Sequence, residues 1–371
     1  MRDATFLALA LTMGSNAQAS DNVILVTLDG VRIQELFSGM DPALLDRTED
    51  SGIYDAEVTR TRYWRETPEE RRETLMPHFW KRLAPMGVVL GNKAKGSRVE
   101  VKNPHWFSYP GYSEMLTGRP QPDVTSNDIV RYPHRTVLEH AREKLGLPKE
   151  RVAQIGSWEG FEMAAASREE AFFMNGAYDF VPAGLSTPEM DRIAGLRVRI
   201  QQLWEESSND VLTFELARLY LREHRPRVMW LGLSQSDDWA HARRYDRLLD
   251  YLHLADELLM ELWEEVQSLD THRDRTTLLI TTDHGRGITP KDWAEHDAGI
   301  EGSQEIWIAI LGPETPDRGE LSNAEPVYQS DLAATLLEIL GLDYREFDPE
   351  AGPPIAAAFE SVSGRRRVSE K

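Results

Sequence analysis

Three aspartates and three histidines fall at the ends of apolar, β-branched runs. Asp29 follows Val23–Leu28 and precedes Gly30, and Asp237 and His241 follow Val228–Leu233. Asp283-His284-Gly285 follows Thr277–Thr281, with His296 a short loop further on. Taken singly, an aspartate after a strand is most often a helix cap, and a lone histidine is most often an ordinary surface or core residue. Together they offer enough carboxylate oxygen and imidazole nitrogen for two metal sites, a mixed donor set that suits zinc better than magnesium or calcium. Asp237 and His241 are four apart, so one helical turn puts them on the same side, a relation that Asp238 lacks. Asp283 and His284 are adjacent and diverge. They face one metal only across a turn, which Gly285 permits.

A hydroxyl complements this set. Asn103 to Tyr112 reads as a loop entering a helix that runs to Thr117-Gly118. Ser108 then sits just before a helix N-terminus, where unpaired N–H groups favour an oxyanion or phosphate. A serine hydroxyl is a poor nucleophile until a base or metal lowers its pKa. The chain has no Gly-x-Ser-x-Gly elbow to suggest a Ser-His-Asp triad. Metal activation is therefore the natural pairing for Ser108, and an ordinary N-cap is the plain alternative.

The elements that must position these groups are legible. Short apolar runs (Val23–Leu28, Val228–Leu233, Thr277–Thr281, Ile306–Leu311) alternate with helical patterns, the mark of an α/β three-layer sandwich with a mostly parallel central sheet. In such sheets ligands collect at the carboxyl ends of strands. Thr67-Pro68-Glu69-Glu70 opens a helix carrying Leu75 to Leu83, and Ser186 or Thr187 opens another before Pro188. Apolar residues recur at helical spacing from about Arg243 to Gln267, and Asp331–Leu340 is a helix stopped by Gly341. Two polar-rich stretches, Asp46–Glu66 and Ala165–Gly184, read as loops that either shape a substrate entrance or decorate the surface.

The 371 residues contain 62 Asp+Glu against 42 Lys+Arg, a net charge of −20, which argues against a nucleic-acid footprint or binding to anionic membranes. There is no cysteine, so disulfides, thiolate metal sites and thiol nucleophiles are excluded. Arg2, the apolar run Ala4–Met13 and Ala17-Gln18-Ala19 together resemble a cleaved export signal over residues 1–19, with Ser20 or Asp21 as the mature start. Periplasmic or secreted localisation follows. No later stretch reaches the ~18–20 apolar residues of a membrane helix. Residues 20–345 are expected to form a single catalytic domain. Residues 346–371 form an extension whose charged end, Arg365–Lys371, is expected to fray.

The ordered set Leu28-Asp29-Gly30-Val31-Arg32, Ser108-Tyr109-Pro110 through Thr117-Gly118-Arg119, Asp237-x-x-x-His241, Thr282-Asp283-His284-Gly285 and His296 resembles the alkaline phosphatase superfamily. The likeness is to its two-zinc phosphodiesterase and nucleotide pyrophosphatase branch and to related bacterial proteins. It continues through Ile306–Pro313 and Tyr328–Gly341 and so covers most of the chain. The resemblance implies two Zn²⁺, other divalent metals being alternatives. One would be held by Asp237, His241 and His296, the other by Asp29, Asp283 and His284 with contact to Ser108. It also implies that Asn127 holds a non-bridging phosphate oxygen.

The activity so implied is hydrolysis of small anionic phosphoric esters, diester or monoester, through a phosphoseryl intermediate on Ser108. Monoesters usually need an extra cation at the phosphate. Arg119, Arg131 and Lys102 are near only in sequence, which tilts the reading towards diesters. A sulfatase-like or phosphomutase member of the superfamily is an alternative. Against a sulfatase, Tyr112 stands where its arginine would be, and Asp283-His284 replaces its Asp-Asn. Against a mutase, there is little room for its second domain. A non-catalytic metal-binding module is the alternative from another class. Trp64, Trp80, Trp106, Trp158 and Trp293 are candidates for a pocket lining but equally for core. The sequence does not indicate an oligomeric state.

Overall fold

The computed structural model describes residues 20–46 and 48–359. The export signal read at residues 1–19 and the charged end Arg365–Lys371 lie outside the described residues. Among the described residues, no helix is long and apolar enough to cross a membrane.

The strands are, in chain order, β1 (Asn22–Leu28), β2 (Gly87–Leu90), β3 (Val99–Glu100), β4 (Val152–Gly156), β5 (Phe173–Asn175) and β6 (Val228–Leu233). Then come β7 (Thr276–Thr281), β8 (Glu305–Ile306), β9 (Ile308–Leu311), β10 (Gly319–Glu320) and β11 (Val327–Tyr328). Eight of them form one sheet in the order β10-β2-β9-β7-β1-β6-β4-β5, and β11-β3-β8 form a small second one. β1 lies at the centre, buried at all seven positions, parallel to β6 on one side and β7 on the other. Its register pairs Leu28 with Leu233 and Thr27 with Thr281, so three strands end side by side. Three of the candidate site segments begin at these ends.

Alternation along the strands builds a core on each face. Ile24, Val26, Leu231 and Ile280 pack with helices Asp210–His224 and Tyr245–Ser268. Val23, Leu25, Trp230 and Leu279 pack with helices Ser108–Thr117, Val137–Lys144 and Asp331–Ile339. The result is the expected three-layer α/β sandwich.

Several local expectations need correction. The run Ile306–Leu311 is not one strand. It breaks at buried Trp307, whose indole N–H donates to the Val31 carbonyl at 3.1 Å, and it continues as β9, antiparallel to both β7 and β2. The helix opened by Thr67 keeps its capping box but stops at Leu75. Pro77 cannot donate to that helix, and Asp256 takes the next two N–H groups, those of His78 and Phe79. The polar stretches are not simple loops: Asp55 caps a helix over Ala56–Tyr63, and β5 lies inside the second stretch. Between residues 346 and 359 the extension is packed against the domain. Gly352 N–H donates to the Gly118 carbonyl, Ile355 N–H donates to Thr335 Oγ1, and Ile355 and Ala358 are buried.

Candidate active site

Each candidate group leaves the sheet where its strand ends. Asp29 is the first residue after β1, anchored by its N–H to the Leu233 carbonyl at 2.9 Å. The short helix Gln235–His241 follows β6 and carries both Asp237 and His241, as their spacing required. Ser236 on that helix donates to the Asp29 carbonyl at 2.6 Å, tying the two strand ends together. After β7, Asp283 and His284 are wholly buried. Gly285 is needed there for space rather than for turn conformation. A Cβ on it would lie 2.3 Å from the Glu305 carbonyl and 2.4 Å from that of Gly302.

His284 Nε2 is the hub of the cluster. It lies 3.5 Å from Asp29 Oδ1, 3.5 Å from Asp283 Oδ2 and 3.8 Å from Asp237 Oδ1. Its Nδ1–H donates to the Gly285 carbonyl at 2.8 Å, which leaves the Nε2 lone pair facing the carboxylates. His241 Nε2 is 3.1 Å from Asp237 Oδ2 and 3.0 Å from His296 Nε2. The His284 and His296 rings stack at 4.0 Å. Two sets of three converge within 4.8 Å: Asp29, Asp283 and His284, and Asp237, His284 and His296. The first is the expected trio. In the second, His284 takes the place expected for His241, which sits at the outer edge in contact with Asp237 and His296.

The donor set fits a cation. Asp29 Oδ1 and Asp283 Oδ2 are buried acceptors with no hydrogen-bond partner among the described residues. Burial, with Asp283 close by, pushes the Asp29 carboxyl up to about 8. Burial pushes Asp283 to about 7. The imidazoles of His241, His284 and His296 move the other way, chiefly through burial, and stay neutral. Crowded carboxylates and neutral imidazole nitrogens with unused lone pairs are the ligand chemistry of zinc and similar divalent metals.

Ser108 is the first residue of helix Ser108–Thr117, one place inside the position expected. Phe107 occupies the cap, so the Ser108 hydroxyl is not a capping group. It faces His284 Nε2 at 3.4 Å. The helix approaches closely because residue 111 is glycine: a Cβ there would stand 2.7 Å from the Asp283 carbonyl. Asn127 accepts from the Tyr109 N–H through Oδ1 at 2.9 Å. It lines the same cavity of about 310 Å³ as Ser108, Asp29, Asp237 and His241. Arg119, Arg131 and Lys102 are engaged elsewhere, with Asp348, Glu162 and the Tyr328 ring. Among the described residues, no Lys or Arg lines the cavity.

Other groups were not singled out by the sequence. Arg286, fully buried, sets its guanidinium against Asp237 and donates from Nε to the Gly30 carbonyl at 3.2 Å. Its place two residues after His284 was the available signal. Tyr112, read only for the arginine it replaces, donates to Asp29. Of the five tryptophans considered, only Trp158 lines the cavity, while Trp80 and Trp293 are core. Trp204 and Glu206 also line it, from a charged segment with no pattern to reveal them. Among the described residues, neither polar stretch contributes a lining residue. Asp238 lines the cavity, and burial beside Asp210, Asp29 and Glu206 raises its carboxyl well above the ordinary range.

No protein-family model and no curated protein matches the chain. Solved structures do. Wild-type alkaline phosphatase PafA aligns with a TM-score of 0.59 at 10% identity, covering 92% of this chain and 99% of that one. A putative sulfatase from Bacteroides thetaiotaomicron gives 0.56 at 12%, over 92% and 74% of the two chains. The phosphonate monoester hydrolase of Agrobacterium radiobacter gives 0.51 at 12%, over 86% and 74%. The chain shares its fold with these alkaline phosphatase, sulfatase and phosphonate hydrolase structures. At such identities the likeness speaks for the fold, and the chemistry rests on the side chains.

Proposed function

We propose that this chain is a metal-dependent hydrolase of phosphoric esters, diesters in preference to monoesters, exported from the cytoplasm by residues 1–19. The observation that carries the reading is the Ser108 hydroxyl 3.4 Å from His284 Nε2, beside two buried carboxylates with unpaired oxygens. Asp29, Asp283 and His284 would hold one divalent ion, and Asp237, His241 and His296 the other, with zinc the best match to the donors. Bound divalent ions lower the pKa of a hydroxyl or a water and offset charge on phosphoryl oxygens.

The chain's own contribution is positional. Ser108 Oγ attacks phosphorus as the ester oxygen leaves on the opposite side. Water then cleaves the phosphoseryl ester and regenerates the hydroxyl. The Asn127 amide, fixed through its Oδ1 at the start of the nucleophile's helix, offers its NH₂ to an equatorial oxygen. The diester preference is supported by the lack of any Lys or Arg among the described residues that line the cavity, since a dianionic monoester needs more positive charge than a monoanionic diester.

The test compares bis-nitrophenyl phosphate, nitrophenyl phosphate and nitrophenyl sulfate on zinc-loaded wild type and Ser108→Ala. Expected are faster diester turnover, and its loss in Ser108→Ala with zinc content unchanged. Near-normal hydrolysis by Ser108→Ala overturns the serine mechanism. Preference for the sulfate turns the assignment to a sulfatase, a substrate class present among the structural neighbours. Two bound zincs with no turnover of any ester would leave the non-catalytic metal-binding module.

A further inference from the structure

One wall of the cavity has the wrong charge for a phosphate and no role in holding metals. Residues 157–159 pair with 206–208 through an antiparallel bridge at Trp158 and Ser207, with Glu159 N–H donating to the Glu206 carbonyl at 3.1 Å. This pairing sets Trp158, Trp204 and Glu206 around the same cavity that Asp238 lines from the helix Gln235–His241. Trp158 is held edge-on by Phe161 at 5.5 Å, whereas Trp204 is 43% exposed at the mouth.

Asp238 is only 6% exposed, yet its carboxylate has no hydrogen bond or ion pair among the described residues, and neither has that of Glu206. Asp238 belongs to neither convergent metal-ligand set. A carboxyl so deeply placed with no hydrogen-bond partner is a group that a cationic ligand would satisfy. Among the described residues, no Lys or Arg lines the cavity to do so. Two indoles beside two free carboxylates form the kind of surface that takes an organic cation, by cation–π attraction and charge together. At about 310 Å³ the space is at the lower end of the roughly 300–1,000 Å³ of small-ligand sites.

We infer that the organic substituent of the ester carries an alkylammonium group, seated between Trp158 and Trp204 against Asp238 and Glu206. The inference rests on the phosphoric-ester reading above and deepens it. A zwitterionic substrate resolves the charge conflict in the cavity: its phosphate would face the divalent ions that the aspartates and histidines would hold, while its cation meets the carboxylate wall.

The test has a kinetic arm and a binding arm, both on zinc-loaded protein. The kinetic arm compares the nitrophenyl ester of phosphocholine with its neutral isostere, in which the quaternary nitrogen is replaced by carbon. The expected kcat/KM ratio favours the cation by at least about tenfold. That ratio should fall several-fold in Glu206→Gln and in Trp204→Ala, both substitutions at exposed positions that the fold tolerates. A ratio at or below one in wild type overturns the inference while leaving the hydrolase reading intact. If neither ester is hydrolysed, the hydrolase reading fails and calorimetric titration with choline alone decides the cation site. Saturable heat that Glu206→Gln and Trp204→Ala weaken supports the site, and no heat overturns it.

Discussion

Tyr112 donates its hydroxyl to Asp29 Oδ2 at 2.9 Å, with both residues shut away from solvent. The phenol thereby fixes which oxygen of Asp29 remains free for the neighbouring histidine. Partners of this kind orient metal ligands, and their loss typically lowers metal affinity 10–100-fold. Tyr112→Phe keeps the ring and its edge contact with Phe161 at 4.9 Å, so the chain should fold. Competition against a chromogenic chelator should show zinc affinity reduced by about 10-fold or more. Unchanged affinity would mean that the hydroxyl does not orient the carboxylate.

Gly111→Ala pits a methyl group against the Asp283 carbonyl, a backbone atom with no flexible end to move aside. Overpacking of this sort costs about 1–3 kcal/mol, to be read from denaturant unfolding. The same displacement carries Ser108 away from His284, and a shift near 1 Å costs about 100-fold in rate. Full activity in the variant would show that helix and loop move together.

Arg286→Met removes the cation packed against Asp237. Breaking a buried pair by deleting one partner costs about 3–5 kcal/mol, because the other charge is stranded. The metal-free variant should therefore unfold at markedly lower denaturant concentration than wild type. Added zinc should recover much of the loss, since a bound ion also neutralises Asp237. Equal losses with and without zinc would argue that Arg286 works through the Gly30 and Ala294 carbonyls alone.

Glu162 gives a pH prediction remote from the cluster. Burial and its hydrogen bond with Asp179 raise its carboxyl from 4.5 to about 7, against the pull of Arg131. The folded chain therefore holds this proton more tightly than the unfolded one. The stability this contributes is fully present below about 4.5 and is lost as pH rises to about 7. Glu162→Gln cannot ionise, so its Tm should decline less than that of wild type across this window. Parallel Tm profiles for the two proteins would refute the shared proton.

What the sequence disclosed was whatever local pattern encodes. Buried β-branched runs marked β1, β6 and β7, and the strand ends located Asp29, Asp237 and Asp283. The i,i+4 spacing correctly put Asp237 and His241 on one helix. Features decided by distant contacts stayed hidden. Nothing near Trp307 says that its indole reaches Val31 and breaks a strand in two. Nothing near Leu75 says that Asp256, on a helix far along the chain, captures the next two N–H groups. Arg286 lies only two residues after His284, but its contact with Asp237 was hidden for the same reason, because that partner is remote in sequence.

The hydrogen bond from Gly352 to Gly118 joins the last described stretch of chain to the far end of the helix that begins with Ser108. One terminus of that rod meets the carboxylate–histidine cluster, and the other is buttressed by a segment whose composition suggests a dispensable trailer. Trimming the polypeptide after residue 345 would bare the socket filled by Ile355 and Ala358 and leave the rod secured at one extremity. On the proposed mechanism a shortened chain would lose rate through Ser108, even though the excised residues lie a full helix length from it.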